Sequence, residues 1–211
     1  MDRGVSDVLG YVLVFSLILG SVALVSTAGY TSLDSVRDAE RFDNANRVFE
    51  VLDANVDDHI DSGVPSRATE IRLADARIGF GEPVRFNVSV EDFGYNRTTA
   101  DPLVYTQSAD RTIAYSGGAT IRSDRGYSRL TDGPPFRFGE RTVLTFVQTR
   151  ARDTGISGSG RVMVRTTRAT QSVHSYRGSG PYHVTLNVTT DRPRRGHDGS
   201  IPNSMGSPVR S

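Results

Sequence analysis

The chain has 211 residues, a formal charge of +1 and no cysteine. That length allows one ordinary domain and little more. The missing cysteines exclude disulfides and thiolate metal sites, and the near-neutral charge argues against nucleic acid as a partner.

Charge is unevenly spread. Between Asp34 and Asp75 eleven acidic residues accompany five arginines, whereas from Arg150 onward ten arginines accompany three aspartates. Two readings fit: contact between neighbouring subunits, or solvated faces.

No residue between Asp7 and Asp34 is charged, which leaves 26 uncharged positions, 8–33. About 20 apolar residues rising about 1.5 Å each cross a hydrocarbon core of roughly 30 Å. A transmembrane helix is therefore expected here, since a buried core helix rarely stays uncharged for so long. Gly10, Ser16, Gly20, Ser21, Ala23, Ser26, Ala28 and Gly29 recur along it, and small residues let helices approach closely in lipid. A cleaved signal peptide is the rival reading, with Ser26-Thr27-Ala28 as its processing site. The apolar run is long for that role, and only Arg3 supplies a basic flank.

The opening residues, Met1-Asp2-Arg3-Gly4-Val5-Ser6-Asp7-Val8-Leu9-Gly10-Tyr11-Val12, resemble the N-terminus of archaeal type IV pilin-like proteins. That family carries a short leader ending in a basic and a small residue, then a Ser-containing segment and a long apolar helix. The resemblance implies cleavage by a prepilin-type peptidase on the cytoplasmic side, with Arg3 as the basic residue and Gly4–Val5 as the scissile bond. Ser6 and Gly10 match recurrent positions, whereas Asp7 stands where many such pilins have proline. The whole arrangement is similar to haloarchaeal pilin-like proteins whose domain has no assigned function. It implies membrane lipid as a partner and other pilin-like subunits joined through the helix.

Topology follows from charge. Arg3 precedes the span, while Asp34, Arg37, Asp38 and Glu40 follow it. Keeping the more positive side inside places the N-terminus in the cytoplasm and the C-terminal domain outside.

Beyond the span the helical period continues. Phe42, Ala45, Phe49, Leu52 and Val56 recur at alternating spacings of three and four, which puts them on one face. One long helix is thus expected, with Asp43 and Arg47 as an i,i+4 pair. The stripe fits packing on neighbouring subunits and equally fits covering a sheet of its own chain. Asp61-Ser62-Gly63-Val64-Pro65-Ser66 ends the helix, with Gly63 as a left-handed cap.

The period then changes to two. Val84, Phe86, Val88 and Val90 alternate with Arg85, Asn87, Ser89 and Glu91, the clearest strand in the chain. Further strands are expected at 69–73, 103–106, 112–115, 119–122, 142–149, 161–167, 172–176 and 182–189. Glycine and proline punctuate them at Gly117-Gly118, Asp132-Gly133-Pro134-Pro135, Ser157-Gly158-Ser159-Gly160 and Gly178-Ser179-Gly180. The expected fold class is α+β: a long N-terminal helix followed by an antiparallel sheet or sandwich. The expected organisation is a leader at 1–4, a membrane helix at 5–33, an amphipathic stalk at 34–62, a β-rich head at 66–190 and a disordered polar tail at 191–211. Arg192, Arg194 and Arg195 make a small basic cluster in that tail.

Chemistry-bearing patterns are sparse. His174 and His183 fall on expected strands with no third ligand near, and His59 and His197 stand apart, so no metal site is expected. The Gly155–Gly160 stretch lacks the lysine of a phosphate-binding loop and reads as a flexible turn. Asp53, Asn55 and Asp57 imitate the start of a calcium loop, but Asp58 replaces its glycine and Val64 its closing glutamate. These acids read instead as a solvated helix face. Three N-x-S/T sequons begin at Asn87, Asn96 and Asn187. Asn96 is expected in a loop, while the other two lie in expected strands and accept sugar only if they face outward. No catalytic residue and no cofactor is expected. The leading reading is a pilin-like structural or adhesive surface protein. The alternative is a monomeric, membrane-tethered extracellular binding module, and an unrecognised hydrolase is a third.

Overall fold

A computed structural model describes residues 3–90, 94–139, 141–150, 155–175, 177 and 184–190. One helix, α1 (Arg3–Asp61), runs unbroken for 59 residues, about 88 Å at about 1.5 Å per residue. Thirteen strands follow among the described residues: β1 (Ser66–Arg72), β2 (Ala76–Phe80), β3 (Val84–Val90), β4 (Gly94–Ala100), β5 (Leu103–Ser108), β6 (Arg111–Ser116), β7 (Ala119–Asp124), β8 (Tyr127–Asp132), β9 (Phe136–Arg137), β10 (Val143–Leu144), β11 (Ile156–Gly158), β12 (Arg161–Thr167) and β13 (Val184–Thr190). Every pairing is antiparallel. The sheets have orders β11-β2-β5-β6-β7-β8, β13-β3-β4, β1-β12 and β10-β9. The chain is therefore the α+β arrangement its periodicities call for.

The helix divides by burial. Residues 8–38 are exposed on every side. From Phe42 onward the apolar stripe is buried: Phe42, Ala45, Phe49, Leu52 and Val56 pack on Ile71, Leu73, Ile78, Leu103, Tyr105, Ile113 and Tyr115. Of the two uses open to that stripe, covering a sheet of its own chain is the one observed. Phe49 meets Tyr105 edge-on at 6.5 Å, and the Tyr105 hydroxyl donates to the Leu73 carbonyl at 3.0 Å, which satisfies it inside the core.

Polar contacts fix the register of helix on sheet. The Arg122 guanidinium lies 4.4 Å from the Phe42 ring centroid and donates to Asp43 at 2.6 Å. Asp43 thus pairs with β7, not with Arg47, whose guanidinium donates instead to Asn44 at 3.5 Å. The sheet offers a planar donor already held by Asp124, and that prevails over a weak pair along the helix surface. At the helix end, the Ser62 and Val64 amides both donate to the Asp58 carbonyl, and Gly63 adopts φ 66°. The expected left-handed cap is present.

A second, smaller core joins Val84, Phe86 and Ala100 of the β13-β3-β4 sheet to Phe146. The Phe86 ring lies on Gly117, where an added Cβ would sit 2.5 Å from its Cζ. Only glycine leaves room for that approach, and φ 68° there suits it.

Several strand boundaries differ from expectation. The stretch at 142–149 pairs only at Val143 and Leu144, with a separate bridge from Val147 to Gly117. Residues 172–175 form no strand. Ile156 to Gly158, expected as a turn, pairs with Ile78 to Ala76. The Gly178–Gly180 turn and the basic cluster at Arg192, Arg194 and Arg195 lie outside the described residues.

Candidate functional site

The outstanding surface feature is the exposed apolar length of α1. Its most apolar window has a mean hydropathy of 2.5, and none of that window is buried. Leaving a Leu, Val or Phe side chain in water costs about 1.5–3 kcal/mol relative to burial, and fifteen large apolar residues between Val8 and Leu33 are exposed. By length and composition this helix can cross a membrane. Its polar side chains suit that setting. The Ser21, Thr27 and Thr31 hydroxyls donate to the carbonyls of Ile18, Ala23 and Thr27 at 2.8–3.0 Å, so they bring no unmade hydrogen bond into lipid. Tyr11 and Tyr30 bracket the stretch, both exposed. They are nineteen positions apart, about 28 Å along the axis. Tyrosine favours the two faces of a hydrocarbon layer roughly 30 Å thick. Arg3, Gly4 and Val5 occupy the first turn of α1.

The three sequons gather on one sheet. Asn87 of β3 stands opposite Asn187 of β13 and Arg97 of β4, and Arg97 Nε donates to Asn87 Oδ1 at 3.2 Å. Phe86 points the other way, into the second core, so Asn87 and Asn187 share the outer face. Asn96 is not in a loop: it lies in β4 opposite Val88, on the Phe86 side of the sheet. Pairing with β3 overrides the polar, glycine-led sequence that reads as a loop.

Of the histidines, His59 is buried and structural. Its Nδ1 lies 2.5 Å from the Val64 carbonyl and its Nε2 2.8 Å from Thr166 Oγ1. A carbonyl only accepts, so Nδ1 carries the proton, and the ring ties the helix end to β12. His174 is exposed in a loop, and His183 and His197 lie outside the described residues. Among the described residues no three acidic or histidine side chains are grouped as metal ligands.

One site went unread in the sequence. Asp53 is not on a solvated face: it is 4% exposed and buried against the sheet. Its Oδ1 has no hydrogen-bond partner, and neither do the buried hydroxyls of Tyr115 and Thr120. Tyr115, Thr120 and Asp132 stand side by side across β6, β7 and β8, beneath the Asp53 and Asp57 side of α1. Burial first, then a hydrogen bond and the charge of Asp132, then the charge of Asp57, push the Asp53 carboxyl up to about 8. Burial also raises Asp57, with Asp61 the next cause, and raises the Tyr115 phenol, with Asp53 the next cause. A carboxyl raised in this way is protonated at neutral pH, buried between helix and sheet. The signal was present: Asp53 lies four residues beyond Phe49 and one beyond Leu52, inside the buried stripe.

At the opposite end of the helix–sheet contact, Asp38 and Arg41 line a polar groove with Asp75, Gln107, Asp110 and Arg125. Gln107 Nε2 donates to the Asp38 carbonyl at 3.0 Å. This is the end from which the apolar length of α1 emerges.

No curated protein and no solved structure matches the chain. One family model does, described as a family of unknown function (DUF7289), and it matches residues 3–196. With the helix and every described strand of the head inside that match, the chain belongs to the DUF7289 family.

Proposed function

We propose that this chain is a membrane-anchored, pilin-like surface protein with a structural or adhesive role and no catalysis. The observation that carries the reading is the uncharged, wholly exposed helix at 8–33 joined without a break to a β-rich head. The N-terminus lies in the cytoplasm and the head outside, by the charge asymmetry around the span. A prepilin-type peptidase cuts between Gly4 and Val5, by the resemblance of the opening residues. Neighbouring pilin-like subunits pack on the exposed helix, where Gly10, Gly20 and Gly29 have open space around them.

Purified surface filaments from the source cells test this directly. The proposal expects the chain in those filaments and impaired adhesion in a deletion strain. Filaments that lack it, with adhesion unchanged, refute the pilus role. A second reading, a monomeric membrane-tethered binding module, draws on the stalk. The stripe Phe42 to Val56 is consumed within its own head, which leaves less of the helix for neighbours. A full-length, uncleaved protein that never co-purifies with pilus components favours that alternative.

A further inference from the structure

The membrane-side end of the head has an unusual construction. The β1–β2 turn (Leu73 to Asp75), the β5–β6 loop (Ala109 and Asp110) and the β7–β8 loop (Arg125 and Gly126) converge beside Asp38 and Arg41 of α1. The Arg125 amide donates to the Asp110 carbonyl at 2.9 Å, joining two of these loops. The other end of the head is marked by Arg137 on Asp61, at 2.8 Å, and Asp61 lies about 35 Å along α1 from Asp38.

Among the described residues, those with both a side chain and a left-handed backbone are Ala74, Asp75 and Arg125, at φ 50°, 71° and 52°. All three line this groove. Such backbones are uncommon outside glycine and gather at working surfaces. The β7–β8 loop is a two-residue turn with both φ positive, since Gly126 is at 85°. That turn favours Asn-Gly, yet arginine holds its first position.

The Arg125 side chain acts on Asp110 through its charge, which, after the Ser108 hydroxyl, helps hold that carboxyl below its usual range. The carboxylates around it are engaged: Asp110 by Ser108 at 2.6 Å, Asp75 by Ser159 at 2.7 Å and Asp38 by Arg41 at 3.4 Å. Tyr127, the next residue after the turn, is 84% exposed.

Leu33, the last of the uncharged run, and Asp38, where the head first touches the helix, are five positions apart. That is about 7.5 Å of helix, and the headgroup layer is roughly 5–8 Å deep on each side of a bilayer. A head hung at Asp38 brings its rim level with the headgroups.

We infer that this rim rests on the phospholipid headgroup layer, with the Arg125 guanidinium on lipid phosphate and Tyr127 in the interface. The inference depends on the anchor reading above. It makes the head a second point of membrane contact and limits its swing about the helix.

Because the chain has no cysteine, single labelling sites are clean. The full chain is reconstituted into vesicles of phosphatidylcholine with phosphatidylglycerol. A fluorophore is placed through Leu24→Cys in the apolar helix, Ala109→Cys on the rim, or Val143→Cys at the far end. Quenching is read with nitroxides on lipid acyl chains and on lipid headgroups. The expected result is acyl-chain quenching at position 24 and headgroup quenching at 109 that exceeds that at 143. The signal at 109 is lost when Arg125→Glu is added. Quenching at 24 with equal signals at 109 and 143 overturns the rim and leaves the anchor standing. An unchanged signal at 109 in the Arg125→Glu variant overturns the phosphate contact. No quenching at 24 overturns the anchor itself.

Discussion

Raising the pH should loosen the helix from the head, because Asp53 holds a proton in the fold. Its carboxyl titrates at about 8 in the folded chain against 3.8 for the free side chain. The groups facing it are Asp57 on its own helix, Asp132 of β8 and Tyr115 of β6. Below pH 3.8 both states are protonated and the contribution to stability is complete. Between about 4 and 8 the folded chain binds more protons than the unfolded one, so stability falls as pH rises. Above 8 both states are ionised and the loss is finished. One proton corresponds to about 1.4 kcal/mol per pH unit, which sets a ceiling of about 6 kcal/mol over the window. Asp132 is solvent-exposed, and water near the pair reduces the working figure to about 2–3 kcal/mol. Urea unfolding of the full chain in detergent, followed by tyrosine fluorescence at pH 5 to 9, measures it. The wild type should lose that amount between pH 5 and 8, and Asp53→Asn should be flat and more stable at pH 8. A flat wild-type profile, or an equal slope in the variant, refutes the reasoning.

Other perturbations follow from the packing. Phe49→Ala empties the centre of the core beside Tyr105, and equilibrium unfolding should show a loss of about 3–5 kcal/mol. Gly117→Ala drives a Cβ into the Phe86 ring at a left-handed backbone; it should cost about 1–3 kcal/mol and separate the β13-β3-β4 sheet from the rest in hydrogen exchange. A double-mutant cycle on Arg122 and Asp43 should give a coupling of about 0.5–1 kcal/mol, because Asp43 is largely exposed. Glycopeptide mapping of native protein should find at most one of Asn87 and Asn187 occupied, since they stand directly opposite each other, with Cα atoms only about 5 Å apart.

What the sequence disclosed depended on how strongly each segment is patterned. The break at Gly63, the stripe from Phe42 to Val56 and strand β3 are legible because one periodicity runs through each without interruption. Strands β4 and β8, GYNRTTA and YSRLTD, carry little apolar alternation. They become strands by pairing with β3 and β7, a tertiary effect that local pattern does not carry. Asp53 was misread for a different reason. Acidic residues on a helix are usually solvated, and only the docked sheet shows that this one faces Tyr115 and Asp132. The partner of Asp43 was missed in the same way, because Arg122 is 79 residues away in the chain.

The anchor is the claim on which the rest depends, and the mature N-terminus tests it most directly. Mass spectrometry on protein taken from its native membrane should find a start at Val5, with the whole apolar helix retained. A start near Gly29 means that the helix has been removed, and it contradicts the account.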